Sequence, residues 1–124
     1  MRYRWHIFLA DLEPVIGSEQ GKKRPVLVMS EEDINQILPV VNVLPITSRK
    51  PGRNIYPNEV LLSAGTANLA HDSIVLCYKI RTLDKQRLIR TIGKIDETTL
   101  QESIIESLCF QLGIIQEKSE FLIT

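Results

Sequence analysis

The apolar residues of this chain come in runs of four to eight, each closed by a proline, a glycine or a charged cluster, and a single segment near the C-terminal end carries helical periodicity. Short runs of branched side chains bounded by turn residues read as strands. Trp5 to Leu12 forms the first, ended by Glu13-Pro14, and Pro25 to Met29 the second, apolar on both faces. Ser30-Glu31-Glu32-Asp33 offers a serine cap with an acid three residues on, followed by Ile34, Ile37 and Leu38 at helical spacing, which predicts one or two helical turns. Val40 to Thr47, Glu59 to Leu62, Ser73 to Ile80 and Ile89 to Ile95 continue the strands, separated by the loops SRKPGRN and SAGTANLAHD. Asp96 then caps a helix with apolar positions at Leu100, Ile104, Ile105, Leu108 and Leu112, ending near Gly113.

Five to six short strands and one terminal helix predict a mainly β chain, a small, partly open β-barrel covered by its C-terminal helix. The 124 residues suit one domain over 1–113, with 114–124 as a tail. No apolar run approaches the roughly 20 residues that span a bilayer, and no signal peptide is read at the N-terminal end, so the expected compartment is the cytoplasm. Cys77 and Cys109 lie far apart without metal-ligand spacing and read as free thiols. His6 and His71 form no short cluster with Cys or Asp that would hold zinc, so neither a metal nor a cofactor is expected, and His71 beside Asp72 reads as a solvated loop residue.

Fifteen basic and fifteen acidic residues cancel, which excludes steering to nucleic acid by net charge. The distribution is uneven. Lys22, Lys23 and Arg24 sit in one loop and Arg49, Lys50 and Arg53 in another, while acids gather at Glu31, Glu32 and Asp33. If the two basic loops converge, they make a cationic site on a neutral protein. The stretch Gly17 to Ser30, GSEQGKKRPVLVMS, carries Glu19 and Arg24 on a polar loop anchored to an apolar strand. A carboxylate can take a proton, and a guanidinium can pair with phosphate oxygens through two parallel hydrogen bonds. That pairing suits phosphodiester chemistry, although a solvated surface loop has the same composition.

GSEQGKKRPVLV with the preceding ADLEP, then LPITS at 44–48, YPNEVLL at 56–62 and DSIVLCYKIRTLDKQRLIRTIGKI at 72–95 together resemble the MazF/PemK family of toxin endoribonucleases, in order, from about Tyr3 to Ile114. The resemblance implies an SH3-like, CcdB-type barrel that forms a homodimer. It also implies metal-independent, sequence-specific cleavage of single-stranded RNA, neutralised by a cognate antitoxin protein. The ribose 2′-hydroxyl would be the nucleophile, giving a 2′,3′-cyclic phosphate and a 5′-hydroxyl. On this resemblance Arg24 stabilises charge, Glu19 is the base or else merely pairs with Lys22 or Arg24, and Thr47 holds the phosphate in line. Ser18 and Gln20 bind nucleotide, and Lys22, Lys23, Arg49, Lys50 and Arg53 follow the RNA backbone.

The chain departs from the family pattern at two places. Arg4-Trp5-His6 replaces an Arg-Gly-Asp-like turn, with Trp5 either core or a base-stacking platform. Tyr78 and Lys79 stand where some members carry an acid or a glutamine, which alters the bases read and gives Lys79 a phosphate contact. These departures leave one rival reading, a non-catalytic nucleic-acid- or protein-binding module on the same barrel.

Overall fold

A computed structural model of the protein describes residues 1–12 and 23–116. Its strands are β1 (His6–Asp11), β2 (Lys23–Val28), β3 (Val40–Ser48), β4 (Glu59–Leu62), β5 (Ser73–Leu76), β6 (Arg81–Asp84) and β7 (Leu88–Lys94). Two helices, α1 (Glu32–Ile37) and α2 (Thr98–Leu112), accompany them. All strand pairings are antiparallel, in the order β4-β5-β3-β2-β1-β7, with β6 also on β3. The outer strands β4 and β7 do not pair with each other, so the sheet stays open, as the sequence predicts.

Alternation along β1 and β2 sends side chains to two cores. Ile7 and Leu27 join Leu44, Ile46 and Val75 on one face, where Ile104 of α2 also packs. Phe8, Ala10, Val26 and Val28 meet Val41, Val43 and Leu83 on the other. Burial on both faces accounts for the nearly unbroken apolar run from Pro25 to Met29. Among the described residues no helix is long and apolar enough to cross a membrane.

The run expected as one strand from Ser73 to Ile80 is in fact divided. It pairs with β3 only as far as Val75, ends as a strand at Leu76, turns through a 3-10 segment at Cys77–Lys79, and resumes as β6. β3 exchanges partners at the same level, with Val40–Val43 on β6 and Ile46–Ser48 on β5. Pro45 lies in the gap and has no N–H for a ladder. A continuous apolar run hides this break, because both pieces face the cores.

The helix boundaries also shift. Glu31, not Ser30, is the cap residue of α1, while the Ser30 hydroxyl bonds Asn35 and accepts the Asn42 N–H at 3.0 Å. Glu97 rather than Asp96 precedes α2, without a side-chain cap bond. The end is as expected. Gly113 adopts φ 69°, and the Gly113 and Ile114 N–H groups donate back to Phe110 and Cys109 at 3.2 and 2.8 Å, a Schellman closure.

Trp5 has φ 67°, the left-handed region that favours glycine, at the very position where the family resemblance expects one. Its N–H donates to Val28 and its carbonyl accepts from Ile95, both at 2.9 Å, so the strained backbone is held between β2 and the residue that follows β7. Trp5 is half-buried and packs against the first core, which favours the core reading. Gly93 on β7 is required for a different reason: a Cβ there would lie 2.1 Å from the Ala67 carbonyl oxygen.

Candidate active site

The β2–β3 register runs Val26 to Pro45, Leu27 to Leu44 and Val28 to Val43. Extending it by two residues sets Arg24 across from Thr47, each on the same face as its neighbour two residues along. Both line one cleft of about 540 Å³, together with Lys79 from the 3-10 turn and Arg81 from the start of β6. Leu12, Pro45, Ile46 and Leu76 form its apolar walls. Three cations and one hydroxyl thus converge on a cleft whose described lining holds no carboxylate. Apolar walls exclude water and strengthen the field of those cations. The arrangement can bind a phosphate, orient it and absorb negative charge that develops on it.

Arg81 is a site residue that the sequence reading passes over. It stands two residues after Lys79, but the start of β6 is invisible behind the apolar run that precedes it, so nothing in the sequence returns Arg81 to the cleft. Its pairing with Val43 on β3 does.

Glu19, Ser18, Gln20 and Lys22 lie outside the described residues. The chain leaves for that segment at Leu12, which lines the cleft, and returns at Lys23, immediately before Arg24. Lys23 itself is exposed and registers with Asp11 across the β1–β2 pair.

The second basic loop lies apart from the cleft lining, and two of its cations are engaged within it. Arg49 donates through Nε and Nη2 to the Arg53 carbonyl at 3.1 and 2.9 Å. Arg53 forms a two-pronged pair with Glu59, at 2.9 and 2.6 Å, and the Glu59 side chain is only 1% exposed. The Arg53 hydrogen bonds hold the Glu59 carboxyl below the usual carboxylate range, assisted by the Tyr56 N–H at 3.0 Å. Lys50, by contrast, is exposed at the tip beside Gly52, whose φ is 76°.

His71 is exposed, and the Asp72 carboxylate accepts the Ala64 N–H at 2.8 Å. Cys77 is buried and Cys109 half-buried, both as free thiols, and burial raises the Cys77 pKa. No group of three His, Cys, Asp or Glu side chains able to hold a metal occurs among the described residues.

The fold and the cleft together define a small, open β-barrel with a cleft lined by three cations and a hydroxyl. Residues 3–108 match the PemK-like, MazF-like toxins of type II toxin-antitoxin systems, and the chain belongs to that family. It is 37% identical over 112 residues to the endoribonuclease EndoA of Bacillus subtilis, covering 90% of this chain and 95% of that protein. The toxin MazF-mt6 of Mycobacterium tuberculosis superposes with a TM-score of 0.73 at 26% identity, over 90% of this chain and 99% of that one. MazF of Deinococcus radiodurans, in a MazE-MazF crystal structure, gives 0.73 at 28% identity, over 91% and 96%.

Proposed function

We propose that the protein is a toxin-type, sequence-specific endoribonuclease that cleaves single-stranded RNA. The observation that carries this reading is the convergence of Arg24, Thr47, Lys79 and Arg81 on one cleft. The EndoA relative, named as an endoribonuclease, supports the choice of RNA over other phosphodiesters. RNA brings its own nucleophile. Glu19 takes the proton of the ribose 2′-hydroxyl, the 2′-oxygen bonds to phosphorus, the bond to the 5′-oxygen breaks, that oxygen takes a proton from water, and Glu19 returns its own proton to solvent. A 2′,3′-cyclic phosphate and a 5′-hydroxyl result. Arg24, a guanidinium, is unsuited to act as base and stabilises the crowded phosphorane as a cation. Thr47 donates to a phosphate oxygen and keeps the group in line. The reaction is read as needing no metal, as the family resemblance implies.

The protein would act in the cytoplasm as a homodimer and be restrained by an antitoxin, as the MazE-MazF assembly of its Deinococcus neighbour suggests. The test is incubation with a long single-stranded RNA in EDTA, with the fragment ends mapped. Discrete cuts with 5′-hydroxyl ends are expected, reduced at least a hundredfold in Arg24→Ala. Intact RNA with folded, antitoxin-free protein overturns the proposal.

A further inference from the structure

Breaking the bond to the 5′-oxygen is demanding when water alone supplies the proton, because a bare alkoxide leaves poorly. The cleft lining offers one better donor. Arg24 and Arg81 are guanidiniums that do not release a proton, and the Thr47 hydroxyl is no stronger an acid than the leaving alcohol itself. Lys79 is an ammonium, which can release a proton and regain it. We infer that Lys79 is the general acid of the cleavage, relaying a proton from water to the departing 5′-oxygen. The inference rests on the endoribonuclease reading.

Its place in the sheet suits that role. Thr47 stands between two strands, with Arg24 of β2 on one side and its register partner Ile74 of β5 on the other. The segment that carries Glu19 joins Leu12 to Lys23, on the β1–β2 side. β5 runs on into the 3-10 turn, so Lys79 reaches the cleft from the opposite wall. In-line displacement sets the attacking and leaving oxygens on opposite sides of phosphorus. A phosphate held over Thr47 would thus meet its base from one wall and its acid from the other.

The turn is fixed and the side chain on it is uncommitted. The Cys77 N–H donates to the Asn58 carbonyl at 3.2 Å, the Ile80 N–H to the Cys77 carbonyl at 3.3 Å, and Cys77 is fully buried. Among the described residues no carboxylate pairs with Lys79, whose ammonium lies 5.9 Å from the Tyr78 ring and is exposed, so water can recharge it. Tyr78, the neighbouring proton donor, lines a separate cavity with Tyr56 and Phe110. The step balances. As the bond to the 5′-oxygen breaks, its electron pair stays on that oxygen, which takes a proton from the Lys79 ammonium. The free amine takes a proton from water, and the proton that Glu19 returns neutralises the hydroxide left behind.

The test uses a short RNA spanning the mapped cut site, and the same RNA with sulfur in place of the scissile 5′-oxygen. Sulfur leaves as a thiolate and needs no proton. Single-turnover rates at saturating protein are compared for wild type, Lys79→Ala and Lys79→Arg. On the oxygen substrate both variants are expected to be about a hundredfold slower, because arginine keeps the charge but does not donate. On the sulfur substrate Lys79→Arg should match wild type, which also shows that it is folded, and Lys79→Ala should recover most of its loss. A wild-type rate for Lys79→Arg on the oxygen substrate would assign Lys79 to charge alone and overturns the inference. So does a loss of equal size on both substrates, or no loss in Lys79→Ala. Those outcomes leave the nuclease reading standing, whereas wild type cutting neither RNA defeats that reading and the inference with it.

Discussion

Trp5 places a large side chain in a backbone conformation that favours glycine. Its φ is 67°, and its backbone bonds Val28 and Ile95. An L-residue there costs on the order of 1 kcal/mol, offset by indole packing on the first core. Trp5→Ala removes the packing but keeps the strain; Trp5→Gly removes both. Urea denaturation should therefore find Trp5→Gly more stable than Trp5→Ala by about 1 kcal/mol, the reverse of the order in ordinary strands. Equal or reversed stabilities would show that the strain is not there. At this scale the sequence was a partial guide. Arg24 and Thr47 could be named from the family motifs, whereas Arg81 needed a pairing that only the folded sheet supplies. The loop cations Arg49 and Arg53 look identical to Lys50 in sequence, and only the carbonyl and carboxylate they meet distinguish them.

Among elements, the N-terminal turn is attached to α1 through the Arg4–Glu31 ion pair, the Gln36 bond to the Met1 carbonyl and, most extensively, the Glu32 carboxylate. Glu32 accepts the Tyr3 and Arg4 N–H groups at 3.1 and 2.8 Å and also bonds Gln36. Burial alone would raise its pKa, but the bonds from Arg4, Gln36, Tyr3 and Asn35 prevail and lower it from 4.5 to about 2. The folded state thus favours the ionised form more than the unfolded chain does. Its stabilisation is complete above pH 4.5 and declines as pH falls from there towards about 2. Thermal melts across that window should show a steeper loss for wild type than for Glu32→Gln, which lacks the titrating group; parallel curves would refute the assignment. Element types were largely legible in the sequence, since periodicity reports which face is buried. The exchange of partners at Pro45 was not, because apolar patterning records burial and is silent on which neighbour provides it.

For the whole molecule, charge and shape have to be considered together. The chain is formally neutral, yet its cleft lining collects three cations and, among the described residues, no acid. If those three meet phosphates, binding of a non-cleavable, 2′-deoxy strand should fall with salt with a log–log slope of about −2. A slope near zero would place the RNA elsewhere, and a much steeper one would bring Lys23 and Lys50 into the contact set. The open barrel with its C-terminal helix was legible from run lengths alone. The cleft was not, because it is assembled from β2, β3, the 3-10 turn and β6, elements that come together only once the sheet curls.

The sharing of β3 among three partners has a hereditary consequence. A single-residue insertion or deletion inside this strand would invert the facing of everything beyond it, so Thr47 would leave the cleft and Ile46 the core together. The loop at 49–58 can lengthen or shorten with no such penalty. Descendants of this chain are therefore free to try new substrates by changing loop length, while the strand that holds their chemistry admits substitution only.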